Sequence, residues 1–253
     1  MRPIRLLLLL LFIGLPLAPA SARAGDAEAA AQAQAMLGPY TWARAIVIHN
    51  PRRAGSLPAR VHGTVFSFHG VLWLYTPREG TRSLSHRRGR LDLDRENLLP
   101  LLRAIRADYT GYEIVPVAKR PLADGRLPKL RNGCVVESLH ALTRLLDRGI
   151  APAEAGLFTV YVRGPGGLQG HTGLLYRTPD GVFFWDPDHP DAPLRVSGGF
   201  GDGERLAREV RADARWELVR THFLPIDGDL REPERGGPVV HANGIGAAGT
   251  GTS

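Results

Sequence analysis

Residues 134–148 constrain the rest of the chain more than any other stretch. Val135, Leu139, Leu142 and Leu146 recur on one stripe, with Val136 and Leu145 beside it, and Gly149 follows directly. This spacing predicts an amphipathic helix with one apolar face to cover, and a glycine just past the last turn closes such helices through a left-handed backbone. The pattern beyond it has a different period. Residues 157–162, 171–177, 182–186 and 216–224 are short runs of aromatic, β-branched and other apolar residues. Thr178-Pro179-Asp180-Gly181 separates the second from the third as a tight turn. Such runs predict antiparallel strands. The chain must therefore lay a helix across an antiparallel sheet, an α+β fold.

The first half carries the same vocabulary in weaker form. Residues 27–37 predict a short Ala/Gln-rich helix with Asp26 as its cap, and 45–49 a strand. Residues 61–75 predict a β-hairpin about His69-Gly70, followed by a turn at 76–80 and a third strand at 81–85. Residues 94–106 have helical spacing with Asp94 as cap, although Pro100 falls inside the window. Residues 112–117 predict a strand and 205–214 a helix. The stretches 50–58, 118–132 and 163–170 are rich in glycine and proline and are expected to be loops. Residues 25–235 are expected to form one α+β unit. Its first part, 25–120, contributes the hairpin, and 121–235 the helix-on-sheet core.

The ends differ from this body. Residues 1–24 combine two early arginines, an apolar stretch over 6–17 and the small-x-small run Ala22-Arg23-Ala24, the three-part pattern of a secretory signal peptide. The apolar stretch falls short of the ~20 residues that span a bilayer. The expectation is an exported protein, periplasmic or secreted, with no stable membrane insertion after cleavage. Residues 236–253 hold six glycines and no charge, and are expected to be disordered. The first 24 residues carry three of the 32 basic residues and no acidic one, so 29 basic residues face 25 acidic ones in the remainder. That mild, scattered excess, almost all arginine, does not suit a nucleic-acid binder.

One cysteine in 253 residues excludes an internal disulfide. Cys134 opens the predicted helix just after Asn132-Gly133, with Lys129 and Arg131 upstream. A helix N-terminus presents free N–H groups and partial positive charge, which favours a thiolate and lowers the thiol pKa below ~8.5. His171 opens a strand 37 residues later, and Asp186 ends the next one. If Arg177 pairs with Val182, then Gly173 faces Asp186 and His171 faces Asp188. Alternation then puts His171, Gly173, Asp186 and Asp188 on one face. A carboxylate there fixes the imidazole's tautomer, and either Asp186 or Asp188 is placed to do so. A thiol, a base and an orienting acid are the parts of a nucleophilic site. The bland alternatives are a buried cysteine acting as a small hydrophobe and a histidine–aspartate pair that only supports a turn.

Residues 132–139 (Asn-Gly-Cys-Val-Val-Glu-Ser-Leu), the helix exit at 145–150, Gly170-His171-Thr172-Gly173-Leu174-Leu175 and Val182-Phe183-Phe184-Trp185-Asp186-Pro187 together resemble a transglutaminase-like core. In layout the chain is most similar to bacterial transglutaminase-like cysteine peptidases, within the papain-like class. Bacteriocin-leader peptidases share the Cys, His, Asp-Pro order. The resemblance covers about 130–190 and implies Cys134 as nucleophile, His171 as base and Asp186 as orienting acid. Two positions depart from the pattern: Val135 stands where a polar or acidic residue is usual, and Gly173 where an aromatic one is. The implied activity is hydrolysis of a peptide or amide bond in a peptide, protein or cell-envelope substrate through a thioester, with no cofactor and no metal. An acyl-transferase, or a non-catalytic envelope protein that binds through the same core, is the alternative.

Other residues read more plainly. His140 falls on the predicted polar face with Glu137 and Arg144, as a solvated side chain. Asp186, Asp188 and His189 lack the spaced partner set of a metal site. Asn132 suits an Asn-Gly turn, and Trp73 and Tyr75 suit the core.

Overall fold

Two five-stranded antiparallel sheets and four helices make up the computed structural model, which describes residues 25–38, 42–50, 58–68, 71–85, 97–116, 129–150, 152–165, 167–210 and 217–226. The expected signal peptide, the loop at 51–57, the His69-Gly70 turn, the Asp94 cap, most of the 118–132 loop and the glycine-rich tail lie outside these residues. The first sheet is built from β1 (Ala43–His49), β2 (Arg60–Phe68), β3 (Val71–Thr76), β4 (Gly80–Ser85) and β5 (Gly111–Ile114), in the order β4-β3-β2-β1-β5. The second contains β6 (Glu154–Gly164), β7 (Gly167–Thr178), β8 (Gly181–Asp186), β9 (His189–Val196) and β10 (Glu217–Pro225), in the order β10-β6-β7-β8-β9. The helices are α1 (Asp26–Leu37), α2 (Leu99–Ile105), α3 (Cys134–Asp147) and α4 (Gly203–Val210).

Strand alternation sorts the apolar residues by face. Leu157, Leu174, Tyr176 and Trp185 of the second sheet cluster with Val136, Leu139 and Leu142 of α3. The same cluster takes in Ala33, Met36 and Leu37 of α1, and Phe66 and Tyr75 of the first sheet. The intervening residues of the second sheet, Phe158, Val160, Leu175 and Phe184, face the other way and pack with Leu206 and Ala207 of α4. The far side of the first sheet forms a third cluster with Leu98 and Leu102 around α2. α3 thus lies on the second sheet with Cys134 at its first turn, the expected helix-on-sheet arrangement.

Several expectations are revised. Asp26 is the first helical residue of α1 and makes no cap; its carboxylate pairs with Arg78 Nε at 2.8 Å. α2 begins only at Leu99, with Pro100 in its first turn, where the missing N–H has no helical partner to lose. The glycine-rich stretch at 163–170 is mostly strand, because β6 and β7 pair as far as Gly164 and Gly167. β9, which the sequence pattern did not suggest, is the outer strand beside β8, and its Pro190 and Pro193 fall where the pairing with β8 is interrupted by a shift of register. Among the described residues, no helix is long and apolar enough to cross a membrane.

Candidate functional site

A turn with two unusual positions delivers Cys134 to the start of α3. Asn132 has a left-handed backbone, φ 54°, and its amide donates to the carbonyls of Pro77 and Arg78 at 2.9 and 3.1 Å. This is the turn role expected of it. At Gly133 a Cβ would sit 2.2 Å from that of Leu130, so only glycine allows the chain to fold back this tightly. Glu137 secures the turn from inside the helix. It is 3% exposed, and its Oε1 accepts the Leu130 N–H at 2.5 Å. The Tyr75 hydroxyl donates to the Arg131 carbonyl at 2.9 Å. Tyr75 is fully buried in the core, as expected.

The thiol does not have the acidity expected of a helix N-terminus. Burial pushes its pKa up, and the neighbouring Glu137 carboxylate adds to that. Hydrogen bonds from the backbone and side chain of Thr172, and from the Val135 N–H, act in the opposite direction without reversing the shift. Of the positive residues upstream, Lys129 has its ammonium engaged by Asp188 and by the Pro187 carbonyl, the latter at 3.0 Å. Desolvation outweighs the helix terminus here.

Thr172 is the point where α3 meets β7. β8 pairs with β7 only from Leu174 onward, so the β8 side of Thr172 has no strand partner. α3 covers this place: Ser138 Oγ donates to the Thr172 carbonyl at 3.3 Å, and Cys134 lies one turn earlier on the same helix face. The Thr172 hydroxyl also meets that of Thr159 at 2.9 Å.

His171 and Asp186 are brought together. Arg177 pairs with Val182 and Leu174 with Trp185, the register inferred from the turn, and the β8–β9 turn folds Asp186 back toward His171. His171 Nε2 lies 2.8 Å from Asp186 Oδ1, and His171 Nδ1 lies 3.7 Å from Asp188 Oδ2. Both aspartates therefore attend the ring, with Asp186 the closer. The Asp188 N–H donates to the same Asp186 oxygen at 2.8 Å. Burial pushes the Asp186 pKa upward, but the hydrogen bonds from His171 and the Asp188 backbone outweigh it and hold the carboxyl far below its usual range. Gly173 lets β8 pack closely on β7 here, since a Cβ there would meet the Phe184 ring at 2.2 Å and the Trp185 carbonyl at 2.6 Å. That is the physical reason no aromatic side chain stands at 173.

Cys134 is not joined to this pair. His171 pairs across the sheet with Val160, whose side chain packs on the α4 face, whereas Thr172 turns toward α3. The thiol of α3 therefore lies against Thr172 on one face of β7, and the imidazole of the preceding residue starts from the other. They still share an electrostatic neighbourhood, because buried Glu137 senses Lys129, Asp188 and His171.

Sequence reasoning misplaced two residues of α3. His140 is 7% exposed, with Nδ1 3.0 Å from the Met36 carbonyl, and Glu137 is buried. Both are covered by elements outside the helix, α1 and the turn at 130–133, which its own periodicity does not reveal. A hollow lined by Ala30, Ile46, His62 and Glu113, among others, contains none of Cys134, His171 and Asp186.

No family model, no curated protein and no solved structure matches the chain.

Proposed function

We propose that this chain is an exported cysteine hydrolase cleaving a peptide or amide bond, with Cys134 as nucleophile, His171 as base and Asp186 orienting the base. The observation that carries the reading is the 2.8 Å contact between His171 and Asp186, held on the strand whose next residue, Thr172, touches the Cys134 sulfur. With the ring proton on Nε2 and directed to Asp186, Nδ1 retains a lone pair for the thiol proton. The reading requires the imidazole and the thiol, which lie against adjacent residues of β7, to meet during turnover. The thiol passes its proton to Nδ1, and the sulfur attacks the carbonyl carbon. The N–H groups at the start of α3 receive the developing oxyanion. The tetrahedral intermediate collapses to a thioester as His171 returns the proton to the leaving amine. Water, deprotonated by His171, then releases the acid and the free thiol. An amine acceptor in place of water would make the same sequence an acyl transfer. The pattern of residues 1–24 supports export.

A second reading is favoured by one specific observation. The hydrogen-bonding neighbours of the sulfur are Thr172 and Val135, and burial raises its pKa, which suits a non-catalytic protein that binds envelope material through this core. The two readings separate in a labelling experiment on residues 25–253. For the hydrolase, a substrate-like electrophilic peptide amide labels Cys134, and His171→Ala slows that labelling at least ~100-fold with the circular dichroism spectrum unchanged, the scale of general-base catalysis. Equal labelling of wild type and His171→Ala would leave the binding protein.

A further inference from the structure

We propose that His171, Asp186 and Asp188 form a reversible site for a zinc-class divalent ion, which the ion enters in competition with the Lys129 ammonium. This inference goes beyond the hydrolase reading and stands on the geometry of β7, the end of β8 and the turn after it. One potential ligand atom from each of the three residues lies within 4.8 Å of the others. The short contacts use different ring nitrogens, Nε2 to Asp186 at 2.8 Å and Nδ1 to Asp188 at 3.7 Å, and one ion takes only one of the two. A tetrahedral ion with bonds of about 2.0–2.2 Å holds its ligand atoms roughly 3.3 Å apart, closer than the 4.8 Å span of the present atoms. Loading therefore requires the half-exposed Asp188 carboxylate to turn toward the nitrogen that the ion uses.

The donor set selects the class of ion. One imidazole nitrogen and two carboxylates suit zinc or another first-row metal, and calcium and magnesium prefer oxygen donors alone. Three protein ligands leave a fourth position open. His189 touches this cluster only from outside: its Nδ1 lies 3.4 Å from the second Asp186 oxygen, and its side chain is 83% exposed. A cation is already drawn to this place independently of any metal, because the Lys129 ammonium sits between the Asp188 carboxylate and the Pro187 carbonyl. An ion using the Asp188 carboxylate must loosen that contact. It must also take an imidazole lone pair, so a loaded site would hold His171 away from proton transfer.

Zinc binding to residues 25–253 is measured by titration calorimetry, and cobalt is titrated in parallel for the visible absorption of a tetrahedral nitrogen–oxygen site. The expected result is one ion per chain, with affinity falling roughly tenfold or more in Asp188→Asn. Affinity should be lost in His171→Ala and rise several-fold in Lys129→Gln. Asp188 is half-exposed, so its variant keeps the test valid if His171→Ala fails to fold. Cys134→Ala should bind zinc as wild type does, so the result is independent of whether the thiol is catalytic. The proposal is overturned if no ion binds at millimolar zinc, if Asp188→Asn and Lys129→Gln leave the affinity unchanged, or if Cys134→Ala abolishes binding.

Discussion

Glu137 exerts two effects at once on the residue three places before it. Its carboxylate holds the Leu130 N–H and so fixes the turn, while its charge, buried beside the sulfur, opposes thiolate formation. Tyr75 from β3, Lys129, and Asp188 and His171 from the second sheet all share this electrostatic neighbourhood. Glu137→Gln keeps an acceptor for Leu130 and removes the charge. The thiol pKa should fall, seen as a leftward shift of the pH profile for iodoacetamide alkylation; an unmoved profile would remove Glu137 from control of the thiol. Stability carries a second signature. Burial raises the folded pKa of Glu137 above its unfolded value, so the folded state holds the proton more tightly. That contribution is fully present below the unfolded pKa and fades as pH rises through the folded one. Wild type should therefore lose stability relative to Glu137→Gln from about pH 4 upward, read by urea unfolding. None of this was legible in the sequence, where Glu137 occupies a polar position on its helix. The register joining His171 to Asp186 was legible, because a four-residue turn fixes the pairing of the strands it connects.

At the level of elements, the contact between α1 and α3 makes stability sensitive to acid. His140 lies under α1, its Nδ1 against the Met36 carbonyl, and burial lowers its pKa despite that hydrogen bond. The folded state resists protonating this ring, so its contribution is present above the unfolded value near 6.5 and is lost as pH falls below it. His140→Gln retains a donor for Met36 and does not titrate. Between pH 7.5 and pH 5 wild type should lose more stability than the variant in urea melts, and equal losses would mean that other groups set the acid limit. Element types were readable wherever one face is buried and the period is clean, as in α3, β7 and β8. Boundaries were less so. Pro100 moved the start of α2 because proline is tolerated only in a first turn, and β9 escaped notice because its exposed residues and two prolines carry no strand-like alternation.

At the scale of the molecule, one cluster draws on both sheets. Met36 is fully buried among residues of α3, the first sheet and the second. Met36→Ala should cost about 2–5 kcal/mol, the usual range for such a truncation in a core. The loss should reach both sheets together. Variants keeping only Trp73, on β3, or only Trp185, on β8, should give the same fluorescence midpoint in denaturant, whereas two midpoints would mean that the sheets unfold separately. Neither sheet alone announces this sharing in the sequence, because the residues that make it come from widely separated stretches.

The outer position of β9 has its own consequence. A sheet whose margin is open can recruit a second copy, strand against strand, and lengthen into a fibre. Pro190 and Pro193 offer no N–H to an incoming chain, and together they interrupt the margin in its middle. Among the described residues the outer strand is guarded by these two rings, so replacing both with threonine would expose a template for filament formation.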